Sequence, residues 1–231
     1  NTFHNFDLII FVIDINSSLN TSDEVDMLNM ILTNCKENND KYNIKNRLII
    51  LLNKADELYL NDDNKLMLDE EYNEMYEQAQ TIIKKKVFDI YPDLCYCIMP
   101  ISCEDSYIYR MYDRNPDFNL SVKHMNKFGY NEFGKKQWNK FNEVTKKSKI
   151  KQLMAKLDLD ETLQLTGFNG FKNKLKQYLK IDNQYAYLLN HIKYDINSIK
   201  PATDINLNIK FLINIYNRDY ELSNMFMDYK K

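Results

Sequence analysis

Three apolar stretches alternate with amphipathic stretches in the amino-terminal half of the chain. They lie at 6–15, 48–52 and 94–102, and a polar break stops each one. Short runs of branched apolar residues with such breaks indicate strands that are buried on both faces, as in a parallel sheet. Apolar residues recur at helical spacing in 25–35 and 72–90. We therefore predict an α/β fold, a doubly wound parallel sheet with three visible strands and helices on both faces.

The stretches between these elements are mainly polar. We predict a polar loop at 38–46, an acidic connection at 57–69 and an aromatic loop at 107–118. Pro100 falls near the end of the third strand, where a missing backbone donor matters least.

The sequence of the carboxyl-terminal part predicts helices. A helix follows Thr166–Gly167, and two more apolar helical patterns cover 185–199 and 207–226, with Pro201 between them. We predict one α/β domain over residues 1–180 with a basic and aromatic insert at about 105–165. A helical extension then occupies 181–231, and its apolar faces make a protein or a membrane surface a candidate partner.

Composition narrows the protein class. The chain has 231 residues, of which 44% are hydrophobic and 28% charged, as in globular proteins. A formal net charge of -2 provides no field that would steer the protein to nucleic acid or an anionic membrane. The 4 cysteines lack zinc-site spacing, so we predict buried free thiols in a reducing compartment. With no signal peptide and no membrane-length apolar run, we expect a soluble, cytoplasmic protein.

The second apolar stretch ends in the most specific motif of the chain. Leu48 to Leu52 run directly into Asn53-Lys54-Ala55-Asp56. Open parallel sheets place their ligand sites at the carboxyl ends of their strands. Asn-Lys pairs also occur at 64, 126, 139 and 173, but none of them follows an apolar strand or has Asp two residues later. The Asn-Lys-x-Asp sequence in this position resembles the guanine-specificity motif of the GTPases.

The chemistry of guanine suits these residue types. Guanine presents two adjacent donors, a ring N–H and an exocyclic amine, and the two oxygens of Asp56 can accept both. Adenine lacks this donor pair, so it would leave the carboxylate unpaired. By the resemblance, Asn53 braces the loop and touches the base, while the stem of Lys54 covers the ring.

The third apolar stretch ends in Ser102-Cys103-Glu104. This tripeptide resembles the second guanine motif of the GTPases, in which the middle backbone N–H meets the guanine oxygen. The resemblance gives that role to Cys103, whereas Glu104 departs from the commoner lysine. Parallel neighbouring strands would bring both motifs to one edge of the sheet.

Phe6 to Glu104 thus resembles the carboxyl half of a P-loop GTPase domain, and the Thr-x-x-Glu at Thr21 most resembles the dynamin-like and other large GTPases. The resemblance implies GTP or GDP as the ligand and, in the full-length protein, hydrolysis as a switch or a mechanochemical step. The sequence contains no Gly-x-x-x-x-Gly-Lys-Ser/Thr and no catalytic residue of the family. We therefore expect the phosphate-binding loop and the Mg²⁺ site in a missing amino-terminal half, which would be a partner of this segment, and this segment alone to be inactive.

Two alternatives remain at this stage. The chain is either a GTPase or a catalytically inactive GTPase-like scaffold that binds other proteins. A third function, nucleic-acid binding, would use the lysines and aromatic residues of 123–151, among them Trp138 and Phe141. The neutral charge balance favours a packed insert with solvated lysines, so we do not expect nucleic acid as a partner.

Overall fold

The protein is built on a three-stranded parallel sheet. The computed structural model describes residues 6–42, 44–56, 58–61 and 65–179, and every structural statement below concerns these residues. The sheet contains β1 (Leu8–Asp14), β2 (Arg47–Asn53) and β5 (Cys95–Ile101) in the order β1-β2-β5. A separate antiparallel hairpin consists of β3 (Leu58–Leu60) and β4 (Leu66–Leu68). The predicted α/β fold with three parallel strands is confirmed.

Eight helices complete the described structure. Two of them, α1 and α2, connect the strands of the sheet, and the other six follow β5. Their bounds are α1 Ser22–Tyr42, α2 Glu70–Ile90, α3 Cys103–Arg114, α4 Val122–Phe133, α5 Lys135–Trp138, α6 Glu143–Met154, α7 Leu159–Leu165 and α8 Phe168–Tyr178.

The central strand β2 is covered on both faces. Successive side chains of a strand point to opposite sides. Leu48, Ile50 and Leu52 belong to the core beneath α1 and α2, whereas Ile49 and Leu51 pack with Tyr178 of α8. An unbroken apolar run was therefore the correct signal for a strand between two helical layers.

The register places the ends of the three strands side by side. Asp14 at the end of β1 lies opposite Asn53 of β2, and Asn53 lies opposite Ile101 of β5. Any polar residues that follow β2 and β5 consequently emerge at the same edge of the sheet.

The helices after β5 enclose a second core. Ile108 of α3, Met125 and Phe128 of α4, Trp138 of α5 and Ile150 of α6 are buried together. Trp138 is fully buried, and its ring stacks on Phe133 and meets Phe141 edge to face. The indole N–H donates a hydrogen bond of 2.8 Å to the side-chain oxygen of Asn126. These rings therefore pack against each other inside this second core.

Several predicted boundaries were wrong. Helix α1 continues to Tyr42 through part of the predicted loop, because Asn38 is buried and donates its side-chain amide to Asn46 at 3.1 Å. The predicted acidic connection contains the β3–β4 hairpin, whose alternating leucines place Leu68 in the core.

Two further predictions need correction. The predicted aromatic loop is largely helix α3, in which Tyr109 and Tyr112 pack against the second core. Cys35 is buried as predicted, but Cys95 is exposed because it begins the edge strand β5. The predicted helices at 185–199 and 207–226 lie outside the described residues.

Candidate functional site

The five predicted site residues come together at the carboxyl edge of the sheet. Asn53, Lys54 and Asp56 follow β2, and Ser102 and Cys103 follow β5. A backbone hydrogen bond of 3.2 Å from the N–H of Ala55 to the carbonyl of Ile101 joins the two loops. Their assembly into one site is therefore seen in the structure, while their role as guanine ligands stays a prediction.

Asp56 is held from two sides. Its Oδ1 accepts a hydrogen bond of 2.9 Å from the hydroxyl of Ser102. Its Oδ2 lies 3.2 Å from the ammonium of Lys127 in helix α4. About a third of the Asp56 side chain, 35%, is exposed. The carboxylate is therefore fixed in direction but still open to a ligand.

Asn53 links the second loop to the first. Its side-chain oxygen accepts a hydrogen bond of 3.0 Å from the backbone N–H of Cys103. The amide of Asn53 thus braces the loop after β5, because the two strands end side by side. The N–H that the resemblance directs to the guanine oxygen already has this partner, so a bound base would have to share or replace that bond.

Lys54 adopts an unusual backbone conformation. Its φ is 67°, a left-handed value that few residues with a side chain adopt. Its ammonium pairs with the carboxylate of Asp14, at the end of β1. The hydrogen bond to Asp14 raises the pKa of Lys54. Burial works against the charge of Asp14, but hydrogen bonds from Lys54 and Asn16 prevail and lower its pKa.

A turn before α8 supports the loop after β5. The backbone N–H of Ser102 donates to the carbonyl of Thr166 at 2.9 Å. The next residue, Gly167, has a φ of 75°, and a Cβ there would lie 2.3 Å from the carbonyl oxygen of Pro100. Only glycine permits this approach, which places the turn directly behind Ser102.

Sequence reasoning missed three residues beside this site, namely Asp14, Asp105 and Lys127. Asp14 had a usable signal, because it ends an apolar strand of the same sheet just as Asn53 does. Lys127 had none, since its Asn-Lys pair looked like one of several compositional repeats. The ammonium of Lys127 also lies 2.9 and 2.8 Å from the two carboxylate oxygens of Asp105, whose side chain is only 9% exposed.

The described residues show neither a metal cluster nor a membrane-spanning helix. Within them, no group of three or more His, Cys, Asp or Glu side chains is arranged to hold a metal ion. None of the described helices combines the length and the hydropathy that crossing a bilayer requires. The expectation that Mg²⁺ is held by other residues stays a prediction.

Comparison with known protein families gives a match in the amino-terminal part of the chain. Residues 1–109 match the Gtr1/RagA G protein conserved region. This match supports a small GTPase-like domain in this part of the chain, and the matched family implies guanine-nucleotide binding. No curated protein and no solved structure matches the chain. The match ends within α3, so it includes Asn53, Asp56 and Ser102 but stops before Lys127.

Proposed function

We propose that the full-length protein is a GTPase that recognises guanine through the loops after β2 and β5. The observation that carries this proposal is the position of Asp56, whose carboxylate stands at the edge of the sheet between Ser102 and Lys127. The match of residues 1–109, which include Asp56 and Ser102, to a G protein region supports the same conclusion.

Base recognition would rest on Asp56 and the two loops. The ring N–H and the exocyclic amine of guanine would donate to the two oxygens of Asp56, giving a charge-assisted bidentate pair. The guanine oxygen would accept from the backbone N–H of Cys103, sharing or replacing the hydrogen bond that this N–H makes to Asn53. Lys54, whose side chain is 63% exposed, would cover the ring after leaving Asp14.

Hydrolysis is the further part of the proposal, as a switch or a mechanochemical step. Phosphoryl transfer depends on a phosphate-binding loop and on Mg²⁺, and the sequence has no Gly-x-x-x-x-Gly-Lys-Ser/Thr to supply that loop. We therefore assign no catalytic residue to this segment. The dynamin-like type rests only on the Thr21–Glu24 pattern, whereas the G protein match extends over residues 1–109.

Calorimetry on the full-length protein tests base recognition. Wild type should bind GDP and GTP but not ATP. Asp56→Ala removes two charge-assisted hydrogen bonds, each worth at least about 1.5 kcal/mol, so GDP affinity should fall on the order of 100-fold. Asp117→Ala is the matched control, because this exposed carboxylate pairs with Lys151 on the insert and should leave affinity unchanged.

The inactive scaffold is the competing function, and the same experiment separates the two. Absence of nucleotide binding in the wild type would support a GTPase-like scaffold that acts through protein partners. Equal binding of GDP and ATP, or binding that is insensitive to Asp56, would refute guanine recognition by this carboxylate. Selective binding would make GTP turnover by the full-length protein the next measurement.

A further inference from the structure

Helix α4 places Lys127 next to Asp56, the carboxylate that would bind the guanine base. Lys127 contacts Asp105 through both carboxylate oxygens and Asp56 through Oδ2. This helix lies beyond the residues that match the G protein region, in the insert that follows the small GTPase-like part.

The position of Lys127 is fixed by its surroundings. Its neighbours on α4, Met125 and Phe128, are buried in the second core. A second contact ties the same helix to α3, since Nε2 of His124 lies 2.6 Å from a carboxylate oxygen of Glu104. The ammonium therefore reaches Asp56 from a rigid element and not from a free surface side chain.

The surroundings of Lys127 favour its charged form. Burial works against it, but the hydrogen bonds and charges of Asp105 and Asp56 outweigh burial and raise the pKa of Lys127. An ammonium has three N–H donors and no acceptor. These donors face the two oxygens of Asp105 and Oδ2 of Asp56.

The acceptor positions that remain on Asp56 match the two donors of guanine. An ionised carboxylate has about four acceptor positions, two on each oxygen. Ser102 occupies one on Oδ1 and Lys127 one on Oδ2. Among the described residues no other side chain contacts these oxygens, so one position stays open on each, which is what a base with two adjacent donors requires.

We propose that Lys127 is a positioning residue for guanine specificity, which together with Ser102 locks both oxygens of Asp56 in the orientation that the two donors of guanine need. The inference rests on the proposed function and adds to it a determinant from the insert. Fixing a binding group before the ligand arrives removes the cost of ordering it, so loss of Lys127 should weaken the bidentate pair selectively.

Inosine diphosphate is the probe for this pair, because inosine keeps the ring N–H of guanine and lacks the exocyclic amine. In the full-length protein, Lys127→Met should lower GDP affinity about tenfold and IDP affinity less, so that the preference for GDP over IDP shrinks. Lys151→Met is the control, since it removes an exposed lysine ion pair on α6, away from Asp56, and should leave both affinities unchanged.

A second variant separates an effect on Asp56 from a general loss of stability. Lys127→Met leaves the nearly buried Asp105 without its charged partner, whereas Lys127→Met combined with Asp105→Asn removes both charges together. Thermal unfolding reports on the fold of each variant, and the GDP to IDP ratio should shrink in both. A purely structural role would change GDP and IDP affinity by the same factor.

Two results would overturn the inference. An unchanged GDP to IDP ratio in the folded double variant would show that Lys127 does not orient Asp56, and a rise in GDP affinity would show that it competes with the base. Failure of the proposed function looks different, because the wild type itself would then show no preference for GDP over ATP.

Discussion

The contact between Gly167 and β5 predicts a large effect from one added methyl group. Gly167→Ala would place a Cβ 2.3 Å from the carbonyl oxygen of Pro100, whereas real Cβ contacts stay beyond 3.0 Å. The backbone of the turn and the strand would therefore have to separate by about 0.7 Å, the difference between these two distances. Neither atom belongs to a flexible side chain, so the strain cannot be relieved by a rotamer change.

The magnitude follows from two contributions. A left-handed conformation costs alanine about 1–2 kcal/mol relative to glycine. Overpacking against a rigid neighbour adds about 1–3 kcal/mol. A loss of about 3 kcal/mol in the free energy of unfolding is therefore expected, which corresponds to a decrease of about 6–12 °C in Tm for a domain of this size.

Gly170→Ala is the matched control for Gly167→Ala. Gly170 lies in helix α8, which begins directly after Gly167, and among the described residues its added Cβ would meet the flexible end of Met99 at 3.4 Å. Alanine there should be neutral or stabilise the helix by up to about 1 kcal/mol. Urea unfolding and thermal denaturation measure both variants. A Gly167→Ala protein as stable as Gly170→Ala would refute the close packing of this turn on β5.

Two further predictions follow from titratable groups. The lowered pKa of Asp14 means that its stabilising pair with Lys54 is present above the ordinary carboxyl pKa of 3.8 and is lost as the pH falls through the lowered value. Below about pH 5, urea unfolding should therefore show that the free energy of unfolding falls less steeply with decreasing pH for Asp14→Asn than for wild type. Equal slopes for the two proteins would contradict this prediction. Burial raises the pKa of the Cys35 thiol to about 12, whereas Cys95 is exposed. Mass spectrometry after alkylation at about pH 8 should find Cys95 modified first and Cys35 only after unfolding, and early labelling of Cys35 would be the opposing result.

The sheet was predictable because its signal is local. The apolar run of β2 needs burial on both faces wherever it lies in the chain, and the polar break after it marks the ligand edge. The two loops then meet because parallel neighbouring strands end together. The five predicted site residues needed nothing beyond this rule and the motif resemblance.

The missed features depend on side-chain contacts that the local sequence pattern does not encode. The sequence places Asn38 in a polar loop, but α1 continues through it, and its buried side-chain amide donates a hydrogen bond to Asn46. Lys127 reads as one more lysine of a basic stretch, and only the packing of α4 brings it to Asp56. Pattern and propensity describe a residue and its near neighbours, so they do not identify such contacts.

The acidic residue at position 104 is explained by the same arrangement. Helix α3 begins at Cys103, so its backbone N–H is one of the donors that a helix amino terminus leaves without a partner inside the helix, and it donates to Asn53. Glu104 and Asp105 then occupy the first turn, where negative charge complements the helix dipole. Lys127 pairs with Asp105, and the ring of His124 lies against Glu104. A lysine at position 104 would interact unfavourably with the helix dipole and with the cations of α4, so the departure from the commoner motif fits an arrangement in which α4 supplies the positive charge.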